Sequence, residues 1–167
     1  LRHAIQKAHS VIRSEAEARG AVTIGATVAS LMLANSHFVG IWAGDSRIYR
    51  VRDGIIQMLT ADHSLVASLV ESGQMSWDEA EHHPQSNAIT RAVGVGEKLE
   101  LDKVRGNAEP GDRFLVCSDG LTKYATFKMI EDVMNREPLE TVVDRLIQIA
   151  LDGGGADNIS VIVVDVI

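Results

Sequence analysis

The chain has 167 residues, of which 46% are apolar, so it can build the core of one ordinary domain and lacks the composition of a disordered chain. Its 16 Lys and Arg residues and 23 Asp and Glu residues give a formal net charge of −7. An acidic surface repels nucleic-acid phosphates and anionic membranes, and no run of about 18 apolar residues offers a membrane-spanning helix. We therefore expect no nucleic-acid or membrane partner. The single cysteine, Cys117, favours a reducing, cytoplasmic location.

The first half of the chain predicts a helix followed by strands. Apolar residues recur with helical spacing over residues 1–19 and the pattern stops at Gly20. The predicted strands that follow are residues 23–33, 37–43, 47–51 and 55–59. Asp53-Gly54 indicates a tight hairpin between the last two, because its turn positions need positive φ. We expect these strands to form an antiparallel meander.

Residues 62–96 differ from their surroundings because they are polar, carry histidines and have a helical pattern. Ser76 and Glu79 have the spacing of a capping box that opens a short helix, which Pro84 ends. We interpret this segment as a flap-like insertion that lies over the sheet and is more mobile than the strands around it.

The second half predicts further strands and two helices. The predicted bounds are 99–104 and 113–117 for strands, 128–135 and 139–151 for helices, and 159–166 for a last strand that is apolar enough to be buried on both faces. Strands joined by hairpins and followed by helices indicate an α+β fold around antiparallel β-structure, in a single domain over residues 1–167. Because Leu1 lies within a helical pattern, we expect the chain to be a fragment or a processed product.

Three segments place an aspartate in a Gly- or Ser-containing turn beside an apolar strand. These aspartates are Asp45, Asp119 and Asp157. A carboxylate at a strand end is a hard oxygen ligand of the kind that Mg²⁺ or Mn²⁺ prefers, and adjacent glycines let the backbone approach an ion. Converging carboxylates without a cation would repel each other. Each segment alone is more simply a plain turn, whereas the set of three favours a cation site.

These turns and other segments resemble, in the same order, motifs of the metal-dependent type 2C (PPM) serine/threonine protein phosphatases. The similar segments are Gly25-Ala26-Thr27, Gly44-Asp45-Ser46-Arg47, Asp62-His63-Ser64, Thr90-Arg91-Ala92, Ser118-Asp119-Gly120 and Ala156-Asp157-Asn158. The similarity runs from about residue 20 to residue 166, and the short connections are similar to those of the small bacterial members.

The resemblance implies a four-layer αββα fold, an antiparallel β-sandwich flanked by helices. It also implies hydrolysis of phosphoserine and phosphothreonine in protein substrates by water activated on two Mn²⁺ or Mg²⁺ ions, with a third, weaker ion. By motif, Asp119 and Asp157 resemble ligands of the binuclear centre, and Asp45 with Asp119 resembles the pair that holds the third ion. Asn158 would orient the neighbouring carboxylate. The other supporting residues are Gly44, Ser46 and Gly120.

The chain departs from the family pattern at its N-terminal end. Members of the family open with a strand carrying an arginine and an Asn-Glu-Asp-like motif, and an Asp-Gly-Met-Gly-Gly-His-like turn follows. Neither motif occurs here. The resemblance therefore assigns the chain to the C-terminal two-thirds of a phosphatase domain, with the general acid, the phosphate-binding arginine and the opening strands expected upstream of Leu1. Sheet edges exposed without those strands would favour a dimer.

Other interpretations remain open at the level of sequence. One alternative is a non-catalytic interaction or regulatory module that keeps the fold without a working metal centre. Another is a divalent-cation sensor that uses the same aspartates. Arg47 and Arg91 are candidates for a substitute phosphate-binding group, although each more simply braces its own segment. We interpret His63 as a structural hydrogen-bonding residue and Cys117 as a core residue.

Overall fold

Two antiparallel β-sheets form the centre of the computed structural model, which describes residues 1–20 and 22–167. The strands are β1 (Val28–Ala34), β2 (His37–Ala43), β3 (Arg47–Arg52), β4 (Ile55–Met58), β5 (Asp102–Asn107), β6 (Arg113–Cys117) and β7 (Val161–Asp165). The helices are α1 (Arg2–Ala18), α2 (Ala67–Glu71), α3 (Trp77–Ala80), α4 (Asp119–Thr122), α5 (Phe127–Arg136) and α6 (Leu139–Asp152). The strand orders are β1-β2-β5 in one sheet and β4-β3-β6-β7 in the other.

The apolar side chains form three clusters, one for each boundary between the layers of the fold. Between the sheets, the rings of Phe38 on β2 and Phe114 on β6 lie 5.2 Å apart. On the outer face of the first sheet, Ile5 of α1 packs in the same cluster as Ile41. On the outer face of the second sheet, a third cluster contains residues of β6 and of α5 and α6, including fully buried Leu146. The predicted αββα sandwich is therefore confirmed.

The predicted meander is wrong, because the chain changes sheets between β2 and β3. β1 pairs with β2 in one sheet, and β3 pairs with β4 in the other. The crossing takes place at residues 44–46, where Gly44 has a φ of 114° that a residue with a side chain rarely adopts. Alternating strand patterns do not tell which sheet a strand joins, so the local sequence could not show this crossing.

Local turn and cap signals are reproduced in the structure. Asp53 and Gly54 both have positive φ, 51° and 80°, in the hairpin between β3 and β4. Ser76 and Glu79 form the reciprocal hydrogen bonds of a capping box at α3. The last strand differs from its prediction: β7 lies at a sheet edge, and Ile162 is 60% exposed instead of buried.

The predicted insertion, residues 62–96, contains α2 and α3 and is joined to the sandwich near both ends by backbone hydrogen bonds. Near the start, the N–H of His63 donates to the carbonyl of Gly44, and near the end Val93 and Ala26 exchange backbone hydrogen bonds. None of the helices among residues 1–20 and 22–167 combines the length and apolar character needed to cross a bilayer.

Candidate metal centre

Strand register brings the three candidate turns to one end of the second sheet. Arg47 at the start of β3 pairs with Cys117 at the end of β6, and Cys117 pairs with Val161 at the start of β7. The turns that precede β3, follow β6 and precede β7 therefore lie side by side. They carry the predicted residues Asp45, Asp119 and Asp157.

Asp119 and Asp157 share one cationic partner. The Nζ atom of Lys123 lies 2.8 Å from Oδ2 of Asp119 and 2.9 Å from Oδ2 of Asp157. The hydrogen bond from Lys123 lowers the pKa of Asp157, and the backbone N–H of Asn158 lowers it further. Asn158 thus orients the neighbouring carboxylate through its backbone. The two carboxylates are close enough to bind one cation together.

Asp45 is close enough to Asp119 for the charges of the two carboxylates to interact. Burial raises the pKa of Asp45 to about 6, and the negative charge of Asp119 contributes in the same direction. Mutual repulsion of this kind arises where carboxylates approach each other without a cation between them.

Close backbone contacts fix the turns that carry these aspartates. A Cβ atom on Gly44 would lie 2.4 Å from Cγ2 of Thr27. The hydroxyl oxygens of Thr27 and Ser46 are hydrogen-bonded to each other at 3.0 Å. A Cβ atom on Gly120 would lie 2.3 Å from the carbonyl oxygen of Asn158. Gly120 is therefore required for the Asp119 and Asp157 turns to approach each other, and Gly44 is required for the Asp45 turn to pack against Thr27.

His63 forms two hydrogen bonds with the backbone of Gly44. Its backbone N–H donates to the Gly44 carbonyl, and its Nδ1 accepts the Gly44 N–H at 3.0 Å. Its Nε2 lies 3.1 Å from Oδ2 of Asp102 and 3.0 Å from Nη1 of Arg91. His63 also stacks on Trp42, with ring centroids 6.1 Å apart. These contacts give His63 a structural hydrogen-bonding role beside the Asp45 turn.

The donor set fits part of a divalent-metal site. Carboxylate oxygens are the ligands that Mg²⁺ and Mn²⁺ prefer, and the ammonium group between Asp119 and Asp157 marks a position that accepts positive charge. Over residues 1–20 and 22–167, no three His, Cys, Asp or Glu side chains converge closely enough to hold a metal ion by themselves. The residues present would therefore supply only some of the ligands that such a site requires.

Neither candidate arginine is a free phosphate-binding group. The side chain of Arg47 is only 5% exposed and forms an ion pair with Asp62, while Arg91 contacts Asp102 at 2.8 Å. Sequence reasoning missed Lys123, although its spacing of four residues from Asp119 on a helix was an available signal.

Cys117 is a core residue, as expected from its apolar surroundings. It lies 2% exposed among the side chains between the second sheet and its helices. Burial raises the pKa of its thiol to about 12, which disfavours a reactive thiolate.

The fold and the site together define a helix-flanked double β-sheet with carboxylate-bearing turns at one end. A family model of protein phosphatase 2C matches residues 1–161. Serine/threonine protein phosphatase PstP of Mycobacterium tuberculosis is 34% identical over 165 residues, which cover 98% of this chain and 32% of PstP. Serine/threonine phosphatase stp of Listeria monocytogenes is 35% identical over 170 residues, which cover 99% of this chain and 66% of that protein.

Solved structures agree with these sequence matches. PppA, a key regulatory component of T6SS in Pseudomonas aeruginosa, superposes with a TM-score of 0.89 at 38% identity, covering 98% of this chain and 67% of that one. The catalytic domain of PstP in complex with two manganese ions gives a TM-score of 0.82 at 32% identity, covering 94% of this chain and 66% of that one. This chain belongs to the protein phosphatase 2C family. It spans about a third of PstP and about two-thirds of the Listeria phosphatase.

Proposed function

We propose that this chain is the part of a protein phosphatase that supplies Asp45, Asp119 and Asp157 to a divalent-metal centre. The reaction is the hydrolysis of phosphoserine and phosphothreonine in protein substrates. The observation that carries the proposal is the pair of carboxylates on adjacent turns, both within 3 Å of one cationic atom, in a member of this family. The relatives named as serine/threonine phosphatases and the manganese-bound structure support it.

The chemistry follows from the charges of the site. Two divalent ions, each Mn²⁺ or Mg²⁺, would be held by Asp119 and Asp157, with Asp45 and Asp119 available for a third. Bound metal lowers the pKa of water, so that hydroxide forms near neutral pH, and offsets the charge of a phosphate. The role of this chain's residues is to hold the carboxylates in place: Gly44, Ser46 and Gly120 shape the turns, and the Asn158 backbone orients Asp157.

Phosphate release from a phosphothreonine peptide and from p-nitrophenyl phosphate in Mn²⁺ tests this function. Because relatives are longer, the assay compares the 167-residue chain with a chain extended at its N-terminus to the length of the family's catalytic domain. We expect slow hydrolysis by the shorter chain and Mn²⁺-dependent hydrolysis of both substrates by the longer one. Asp157→Asn should lower kcat/KM of the longer chain by about 10²–10³, the usual loss when one electrostatic contact to the transition state is removed.

Asp144→Asn is the matched control, since Asp144 is exposed on α6, outside the candidate centre. It should leave kcat/KM unchanged. A longer chain that hydrolyses neither substrate in Mn²⁺ would instead support a phosphatase-like interaction or regulatory module. That alternative is favoured by the lack of three converging ligands among the described residues. Equal activity in wild type and Asp157→Asn would contradict the assignment of Asp157. A cytoplasmic location, where phosphorylated proteins are available, is part of the same proposal.

A further inference from the structure

A buried ion cluster links the insertion to the candidate metal centre. Arg47 forms three hydrogen bonds with the carboxylate of Asp62, at 2.9, 3.1 and 2.6 Å. Its Nη2 atom also lies 2.8 Å from Oε1 of Glu81, the residue that follows α3. The side chains of Arg47, Asp62 and Glu81 are 5%, 6% and 10% exposed. Among the described residues, one cation of β3 thus faces two buried anions of the insertion, Asp62 at its start and Glu81 after α3.

The two anions are bound differently. Asp62 accepts aligned hydrogen bonds from Nε and Nη2 of Arg47, which is a strong bidentate arrangement. Oε1 of Glu81 is near Nη2 but accepts no aligned hydrogen bond from any residue that the structure describes. Arg47 therefore keeps a complete ion pair if Glu81 leaves, and Glu81 regains hydration in water. The Glu81 contact is therefore the weaker of the two.

Glu81 contacts residues close to two candidate metal ligands. Arg47 lies two positions after Asp45 on the chain. Burial raises the pKa of Glu81, while the charge of Arg47 and the nearby Thr122 hydroxyl oppose this rise. Thr122 belongs to α4, whose first residue is Asp119. The Glu81 side chain therefore contacts Arg47, two residues after Asp45, and lies beside Thr122, three residues after Asp119.

The middle of the insertion is otherwise held by a few side chains. Near its ends, the N–H of Leu65 donates to the carbonyl of Ala88, and the N–H of Thr90 donates to the carbonyl of His63. At α3, the ring of Trp77 lies 5.0 Å from the guanidinium carbon of Arg47, and Asp78 accepts a hydrogen bond from the N–H of Phe127. Movement of residues 66–83 away from the sandwich therefore requires these α3 contacts to open.

We propose that Glu81 is a positioning residue, which fastens the insertion against the Asp45 and Asp119 turns and couples its position to cation binding there. This role rests on the proposed function, because cation binding is what the contact would transmit. Coupling is reciprocal, so a cation that fixes these turns also strengthens the attachment of the insertion.

Amide hydrogen exchange of the metal-free 167-residue chain tests the fastening. The variants are Glu81→Gln and Glu81→Lys, and their matched controls are Glu71→Gln and Glu71→Lys at an exposed position of the same segment. We expect exchange in residues 66–83 to accelerate by about tenfold in Glu81→Lys and by less in Glu81→Gln, with β6 and β7 unchanged. Exchange that is unaltered in both Glu81 variants, or accelerated equally in β6 and β7, would overturn the proposal.

Mn²⁺ added to wild type and Glu81→Gln tests the coupling. Binding should slow exchange of residues 66–83 in wild type and have at least about threefold less effect on that segment in Glu81→Gln. Equal slowing in both, or protection of the turns alone, would overturn the coupling. If Mn²⁺ changes nothing anywhere, the proposed function fails and the metal-free experiment decides the fastening by itself.

Discussion

At the scale of single residues, arginine side chains balance buried carboxylates at several points of the sandwich. Arg52 on β3 contacts Asp112 at 2.6 Å in the turn before β6, and the Asp112 side chain is 1% exposed. Asp112 also accepts the N–H of Glu109. This carboxylate therefore fixes the turn that starts β6, the strand that leads to Asp119.

Replacing Asp112 should destabilise the protein in a pH-dependent way. Hydrogen bonds from Arg52 lower the pKa of Asp112, so its contribution is complete above the pKa of about 3.9 of an unfolded aspartate and is lost as pH falls through the lower folded value. Asp112→Asn should cost about 1.5–3 kcal/mol at pH 7, the range for a hydrogen bond to a charged group. Urea unfolding at pH 7 and at pH 3 measures the difference.

Asp53→Asn is the control, because Asp53 is exposed and asparagine tolerates its φ of 51°. It should change the free energy of unfolding by less than about 0.5 kcal/mol. A cost for Asp112→Asn that grows on acidification would contradict the role given to the Asp112 carboxylate.

Residue roles that depend on neighbours in the chain were predictable, and those that depend on distant partners were not. The capping box of Ser76 is confirmed because its donors and acceptors lie within four positions. The Arg47–Asp62–Glu81 cluster joins positions 15 and 34 residues away from Arg47, and no local pattern reports it. Sequence therefore left Arg47 open as a phosphate-binding candidate, whereas the structure buries it.

At the scale of elements, the insertion should be less protected than the strands beside it. Residues 71–74 are exposed, and α2 and α3 contain only five and four residues. Short helices with few buried side chains open at low free energy. We expect the amides of residues 65–83 to exchange at least about tenfold faster than those of β6 and β7 at pH 7. Uniform protection in a hydrogen-exchange experiment would contradict the interpretation of this segment as a mobile flap.

Strands with clear ends were predicted well, and sheet membership was not. The predicted bounds of β2 and β6 agree with the structure at every residue. Both strands are apolar and end at glycine- or serine-containing turns, which gives them sharp sequence boundaries. Residues 23–27 were predicted as part of β1, yet the chain there pairs only at Ala26, with Val93 of the insertion. That bridge is a long-range contact, which the β-branched composition of residues 23–33 could not reveal.

At the scale of the whole molecule, the candidate metal centre lies where the chain passes from one sheet to the other. The Asp45 turn follows β2 of the first sheet and precedes β3 of the second, and the Asp119 and Asp157 turns flank neighbouring strands of the second sheet. The motifs predicted which residues are assigned to the candidate centre. How they come together depends on pairing between distant strands, which only the fold supplies. Under the proposed function, these turns together bind a divalent cation.

Isothermal titration of the 167-residue chain with Mn²⁺ tests that claim most directly. We predict saturable binding to wild type, unchanged binding to the control Asp144→Ala, and at least about tenfold weaker binding to Asp119→Ala, because Asp119 is assigned to two ion positions and losing one charged contact costs a few kcal/mol. Equal binding to wild type and Asp119→Ala, or no binding to wild type, would contradict the claim.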